Sequence, residues 1–400
     1  MLKSFSIVNK LMKEITIPVD GVIDVQGVIK QVDNIYFQRL RHVKQLSLAY
    51  LVFPAATHTR FEHSLGVYAK AYRVLQNNKI DDPCFLQAAL LHDIGHPPYS
   101  HLIEVLLPEN HEEIGKMIVD KIEVENKEKV KELMTSPLLT SRPFGLDKLD
   151  YVTRDSYHCG VGEFENYIRR MVERIHILDE KHYDYGIDKK VFDEGLIETI
   201  KNLYVSAHRA IYFRKSTLLI EEFMRNLLSE LDDKELEMLL WDNKEKSLLN
   251  IDSKIDNYLL KEKPIFRDFL LERKLPKAAI IITDKKRPVR IAEKPIKHYV
   301  IPEIWERRWD IHTIKQIREE ISEILNCKTE EIVIPFPPLN FKRFKFDNLK
   351  LYDPKSGDVE NIELSQPDFT LSEYIGVSEN KRREMYERSD EIIKILERYL

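Results

Sequence analysis

The sequence predicts a mainly α-helical protein, a helical core with a smaller α+β region at its carboxyl end. Apolar residues recur at helical spacing through most of 33–231, clearest in Leu65, Tyr68, Ala69, Tyr72 and Leu75. Past about residue 275 the pattern turns strand-like, in "AAIIIT", "RPVRIA" and "EEIVIP". Apolar residues make up 43% of the 400, enough for one large core with additions or for two to three domains.

Taken in order, residues 1–32 read as an amino-terminal arm in which the β-branched stretch Ile15 to Val19 forms an edge strand or stays an arm. Residues 33–274 read as the helical core. Phe85, Ala88, Ala89 and His92 share a helix face, and Gly95 with the Pro97-Pro98 pair stops that helix. From Arg174 to Val191, two short alternating runs around Asp179, Glu180 and Lys181 predict a β-hairpin inserted in the core. Long helices follow over Val191 to Phe213 and Leu218 to Leu231. Residues 275–400 form the α+β region, with prolines clustered between 335 and 338, a helix from Ile311 to Leu325, and a closing amphipathic helix from Glu379 to Leu400.

Composition narrows the function. A net charge of −5, with 62 Lys and Arg against 67 Asp and Glu, supplies no global field for nucleic acid or an anionic membrane. The longest apolar runs, such as Ala278 to Ile282, are far shorter than the roughly 20 residues of a membrane span. Lys10, Lys13 and Glu14 interrupt any signal-peptide core. Three cysteines (Cys84, Cys159, Cys327) without a CxxC exclude a disulfide framework and a thiolate zinc site, and predict a reducing, cytoplasmic setting.

The chemistry is carried by His and Asp residues in three places. "TRFEHSLGV" holds His63, "LLHDIGHPPYSH" holds His92, Asp93, His96 and His101, and "LDKLDYVTRD" holds Asp147, Asp150 and Asp155. Imidazole nitrogen and carboxylate oxygen suit a divalent transition metal, and separate helices can converge such groups in a bundle core. A lone His on an apolar face is more often a hydrogen-bonded core residue. Three histidines and an Asp within ten residues of an apolar helix are too costly to bury without a function.

The ordered segments "FQRLRHVKQLSLAYLVFPAATHTRFEHSLGV", "LLHDIGHPPYSH", "HEEIG" and "LDKLDYVTRDSYHCG" closely resemble the HD-domain dNTP triphosphohydrolases, specifically the SAM-and-HD-domain kind without its SAM domain. The resemblance runs from about Asp33 to Leu231 and implies a helical HD-domain core. It implies metal ligation by His63, His92, Asp93 and Asp147, and leaves Asp150, which the residues alone do not separate from Asp147, as a supporting carboxylate. His96, His101 and His111 match histidines around the phosphates, with His101 a general acid oriented by Glu104, where the family commonly has Asp. Arg60 and Lys148 match phosphate-binding positions. Gln45, Tyr151 and Asp155 match residues lining the triphosphate and the sugar 3′-hydroxyl, and Tyr212 in "SAHRAIYFRK" matches the aromatic packed where a ribose 2′-hydroxyl would sit.

The reaction so implied is attack of water on the α-phosphorus, giving deoxynucleoside and inorganic triphosphate, with a proton delivered to the departing 5′-oxygen. The site metal expected is Fe, Mn, Zn or Ni, with Mg accompanying the triphosphate. Asp33, Gln38 and Arg41 resemble residues that read a guanine nucleotide activator at an oligomer interface, in a dimer or tetramer. The segment Val19-Asp20-Gly21 departs from that pattern, and a helix whose polar face pairs internally explains "FQRLR" equally. Two other readings compete: a phosphatase or phosphodiesterase acting on another nucleotide, with the same ligands, and a nucleic-acid-binding or regulatory module with a vestigial site, which the charge and intact ligand set oppose.

Overall fold

A computed structural model describes residues 13–193, 195–242, 249–284, 296–305, 309–334, 345–367 and 372–400. It is mainly helical, with three small sheets among the described residues. The arm is a hairpin: β1 (Glu14–Ile17) pairs antiparallel with β2 (Gly21–Asp24), so the predicted strand finds its partner four residues away. Val19 and Gly21 in its turn take positive φ, 74° and 72°. Ile17, Ile23 and Val25 then sink into the main core.

The core is built on α1 (Arg60–Asn78), capped by Thr59 and ended by Lys79 in the left-handed region. Leu65, Tyr68, Ala69 and Leu75 are buried on the predicted face. Helix α2 (Pro83–Leu91) starts with Asp82 accepting from the amides of Cys84 and Phe85 and a proline in the first turn. It ends at Leu91, before Gly95 is reached. Gly95 has a different job: a Cβ there would collide with the His111 carbonyl and the Gly115 amide, so its lack of a side chain lets the turn from His92-Asp93 to His96, the HD turn, press onto α3 (His111–Val119). Helix α4 (Leu146–His158) crosses α1.

The predicted hairpin is present as β3 (Ile175–Asp179) and β4 (Asp184–Asp188). It is half of a four-stranded sheet. β7 (Leu349–Tyr352) adds parallel to β4, and β8 (Val359–Ile362) adds antiparallel to β7. Leu349 and Leu351 thereby enter the same core as Ile175 and Ile187.

The long helix expected over 191–213 is α5 (Leu196–Ala207) running into a π-helical turn, His208–Tyr212. Helix α6 (Lys215–Leu228) follows. A second core surrounds β5 (Lys277–Thr283), flanked by β6 (Lys297–Val300, parallel) and β9 (Ser372–Val377, antiparallel), with α7 (Ile311–Leu325) against them. "EEIVIP" does not make the expected strand: Thr329–Glu331 is a 3-10 turn and Val333 makes an isolated bridge to Gly376, while Ile332, Val333 and Ile334 are buried for packing. "RPVRIA" and the 335–338 prolines lie outside the described residues. The closing helix is interrupted, as α8 (Arg382–Glu387) and α9 (Ser389–Arg398) meet at Arg388. Among the described residues no helix is long and apolar enough to cross a membrane.

Candidate metal centre

Helix α1 delivers His63, the end of α2 delivers His92 and Asp93, and the first turn of α4 delivers Asp147. His63 Nε2 lies 3.4 Å from Asp93 Oδ2 and 3.2 Å from Asp147 Oδ1; His92 Nε2 lies 3.5 Å from Asp93 Oδ1 and 3.8 Å from Asp147 Oδ1. His63, His92 and Asp93 form one of two groups, among the described residues, whose side chains converge closely enough to hold an ion.

The far side of each ring tests whether the residues suit a metal. His92 Nδ1 is 2.9 Å from the Ala89 carbonyl, which can only accept, so Nδ1 carries the proton and Nε2 presents a lone pair. His63 Nδ1 donates to Asp150 Oδ2 at 2.7 Å, which likewise leaves Nε2 bare. Both Nε2 atoms are buried without a hydrogen-bond partner. Two orphaned lone pairs aimed at two carboxylates fit a divalent cation, and locking the tautomer through Nδ1 is the usual support for a ligating His. Burial pulls the His63 imidazole down, but Asp147, Asp150 and Asp93 outweigh it and raise it to about 9, so without an ion a proton takes the Nε2 position that a bound cation would claim. The centre calls for positive charge.

Asp150 is itself tied down. It accepts from Lys70 at 2.7 Å and from Arg154 Nε and Nη2 at 2.9 and 2.8 Å. Arg154, fully buried, also reaches Asp20, Glu62 and the Pro18 carbonyl, so the amino-terminal hairpin closes over this network. Gly66 makes the room: a Cβ there would strike Arg154 and Asp150.

Beside the centre stand His96, His101 and His111, the second converging group. His96 stacks on His111 with centroids 4.1 Å apart, and its Nε2 lies 3.3 Å from Asp93 Oδ1. Glu104 is shared: Oε2 takes His101 Nδ1 at 2.6 Å, and Oε1 takes His111 Nδ1 at 2.6 Å and the His111 amide at 2.9 Å. Burial pushes His96 well below the usual range, with Arg60 and His111 adding to it. Burial also drives His101 down, though half of its side chain stays open to solvent, which softens the effect. At His111 the pull of Glu104 outweighs burial and raises the imidazole.

Arg60 donates to Asp93 Oδ2 at 2.6 Å and to Ser100 Oγ at 2.9 Å. Lys148 pairs with Asp147, which holds its ammonium above the usual range despite burial. Tyr151, Tyr204, His208 and Tyr212 form an aromatic wall, with Tyr151 and Tyr212 centroids 6.0 Å apart. The π-helical turn swings Tyr212 onto Asp155 Oδ2, at 2.5 Å, while His58 Nε2 meets Asp155 Oδ1 at 2.7 Å. Gln45 is buried, with Oε1 unpartnered. Asp33 and Arg41 are exposed and Gln38 is half-buried. Gln38 donates to the Val32 carbonyl and accepts from Arg41 at 2.8 Å, and Arg41 lies over the Phe61 ring.

Two residues that sequence reasoning passed over belong here. His58, five residues before His63 in a quoted motif, had that proximity as its only signal. Arg39 was hidden in "FQRLR", where Arg41 drew the attention; its buried guanidinium donates to the carbonyls of Ile94 and His96, at 3.0 and 2.8 Å, and so shapes the HD turn.

Residues 60–142 match the family model of the HD domain. An uncharacterised protein of Methanocaldococcus jannaschii is 33% identical over 253 residues, 60% of this chain and 52% of that protein. Human deoxynucleoside triphosphate triphosphohydrolase SAMHD1 is 29% identical over 285 residues, 56% of this chain and 45% of its own length. The chain spans about half the length of the curated relatives it matches. A solved hypothetical protein from Aquifex aeolicus, 23% identical, shares the fold with a TM-score of 0.65 over 96% of this chain and 100% of that one. The likeness is thus to an HD-domain, dNTPase-like family.

Proposed function

We propose that this HD-domain protein is a metal-dependent phosphohydrolase that cleaves deoxynucleoside triphosphates to deoxynucleoside and inorganic triphosphate. The observation that carries the reading is the pairing of two bare, tautomer-locked Nε2 atoms with a row of three further histidines and a wall holding Tyr151, Asp155 and Tyr212. The similarity to SAMHD1 supports the substrate class.

His63, His92, Asp93 and Asp147 would hold a divalent ion, with Fe, Mn, Zn or Ni matching the nitrogen and oxygen donors. Such an ion supplies Lewis-acid polarisation of a phosphoryl oxygen and acidifies water. The remaining work falls to the chain. Lys148 and Arg60 offset phosphate charge, joined by the Mg that accompanies a triphosphate. Because Glu104 occupies its Nδ1, His101 has Nε2 left to carry the acid proton, and giving that proton to the 5′-oxygen returns His101 to the neutral form with its remaining proton on Nδ1, toward Glu104. Asp155 and Gln45 face the sugar and triphosphate, and the Tyr212 ring closes the position of a 2′-hydroxyl. A cytoplasmic homo-oligomer, dimer or tetramer, and a guanine nucleotide activator bound through Asp33, Gln38 and Arg41 extend the proposal.

The test is one assay. Metal-loaded protein is incubated with the four dNTPs, the NTPs and the dNMPs, with and without GTP, and products are separated by chromatography. Release of inorganic triphosphate from dNTPs is expected. Turnover of monophosphates or cyclic nucleotides with dNTPs untouched would overturn the substrate class in favour of a phosphatase or phosphodiesterase.

A further inference from the structure

Asp252 takes no part in the site as described, yet it is bonded to two segments that lead into it. It is the first residue of a helix, Asp252–Glu262, and is 1% exposed. Its Oδ1 accepts the Tyr99 amide at 2.8 Å, and its Oδ2 accepts the Lys44 amide at 2.9 Å, with Lys44 Nζ at 3.4 Å. One carboxylate therefore ties together two segments remote in sequence, one a residue before Gln45 and the other two residues before His101, both read as facing substrate.

The tie is closed on both sides. Ser100 Oγ donates to the Lys44 carbonyl at 3.0 Å and accepts from Arg60 Nε at 2.9 Å. The Gln45 amide donates to the His58 carbonyl at 3.0 Å, and Arg60 returns its amide to Val43 at 2.9 Å. Just upstream in the same segment, the Asn250 carbonyl accepts from Arg39 at 3.2 Å, the guanidinium that also grips the HD turn.

The backbone explains why such a clamp is needed. Tyr99 and Ser100 both have positive φ, 58° and 54°, and neither is glycine. Two successive L residues in that region stay there only when their surroundings over-determine them. Here the restraints are the Asp252 carboxylate on the Tyr99 amide, Asp256 on the Tyr99 hydroxyl, and the two bonds of Ser100. The very next residue is His101, which opens the short helix ending in Glu104. Relaxing φ at 99 or 100 would redirect the chain where it delivers that pair, while His63, His92 and Asp147 stay on their own helices.

We infer that Asp252 is a positioning residue: by holding the Lys44 and Tyr99 amides it sets Gln45 and the His101–Glu104 pair in register across the site, without acting on the metal centre. This rests on the reading of Gln45 and His101 as substrate-facing.

The experiment uses the full chain and compares wild type with Asp252→Asn, which turns a donor toward one of the two amides. Metal per chain, kcat and KM, and the affinity for inorganic tripolyphosphate by calorimetry are measured together. Asp252→Asn should keep full metal occupancy while kcat per bound metal falls about 10²-fold, as expected for a displacement on the order of 1 Å, and tripolyphosphate binding weakens. Wild-type kcat and KM per bound metal would overturn the inference, as would metal loss in proportion to activity. If Asp252→Asn does not fold, Asp256→Asn should show the same pattern at smaller amplitude, and unchanged kinetics there would overturn it equally. A wild type inactive on every dNTP defeats the proposed function instead. In that case the tripolyphosphate affinity of Asp252→Asn decides: weaker binding supports the clamp and equal binding refutes it.

Discussion

The pair His63 and His92 and the trio His96, His101 and His111 use one residue type for opposite ends. In the pair, each Nδ1 is spent on an acceptor that cannot share its proton further: the Ala89 carbonyl, or an Asp150 already compensated by Lys70 and Arg154. The result is two fixed lone pairs. In the trio, the single Glu104 carboxylate serves two imidazoles, and no hydrogen bond from a lysine or arginine to Glu104 appears among the described residues. Burial lowers His96 and His101 while Glu104 raises His111, so the three imidazoles differ in their hold on a proton. On the proposed reading, what surrounds the second nitrogen decides whether a histidine binds a metal or moves a proton.

Removing a member of the pair, or the Asp93 carboxylate beside it, should have the largest effect. His92→Ala or Asp93→Ala is expected to lose metal and activity together, with turnover down by at least about 10³-fold, since the ion supplies several kcal/mol. Full metal occupancy by elemental analysis in the double variant would break the assignment. Removing a member of the trio should separate the two properties. His101→Ala should keep its metal and lose about 10²- to 10⁴-fold in turnover. A substrate with a nitrophenyl leaving group needs little protonation and should be spared; equal damage to both substrates would mean that His101 binds phosphate or supports the fold.

The comparison sharpens at the supporting carboxylates. Asp150→Asn should weaken metal affinity by about 10- to 100-fold without abolishing binding, measured by chelator competition; unchanged affinity would show that the Nδ1 lock is idle. Glu104→Gln should leave metal affinity alone and act on pH dependence. Because Glu104 raises His111, its imidazolium survives to higher pH in the native protein. Removing that charge should move the basic limb of the kcat/KM profile to lower pH, and a limb that stays put would exclude this effect of Glu104. The smallest effect belongs to the sugar end. Tyr212→Ala should narrow the preference for dNTPs over NTPs by roughly 10-fold, the low end of what a lost apolar contact is worth. Equal turnover of ATP and dATP by the wild type would already contradict this role.

The sequence by itself determined the helical class, the face of α1, the hairpin at 175–188 and the identities of the clustered His and Asp residues. Each of these is local: a period of 3.6 or 2, a cap, or a run of chemistry-bearing residues within one segment. Tertiary structure alone decided the rest. The parallel pairing of β4 with β7 joins segments with no sequence signal linking them. Burial of Ile332 to Ile334 reads like a strand but serves packing. The π-helical turn that places Tyr212, the grip of Arg39 on the HD turn, and the division of Glu104 between two histidines all depend on partners brought from elsewhere in the chain. A histidine's letter shows that it can bind a metal or a proton; which one it does depends on what meets its other nitrogen, and only folding puts that partner in place.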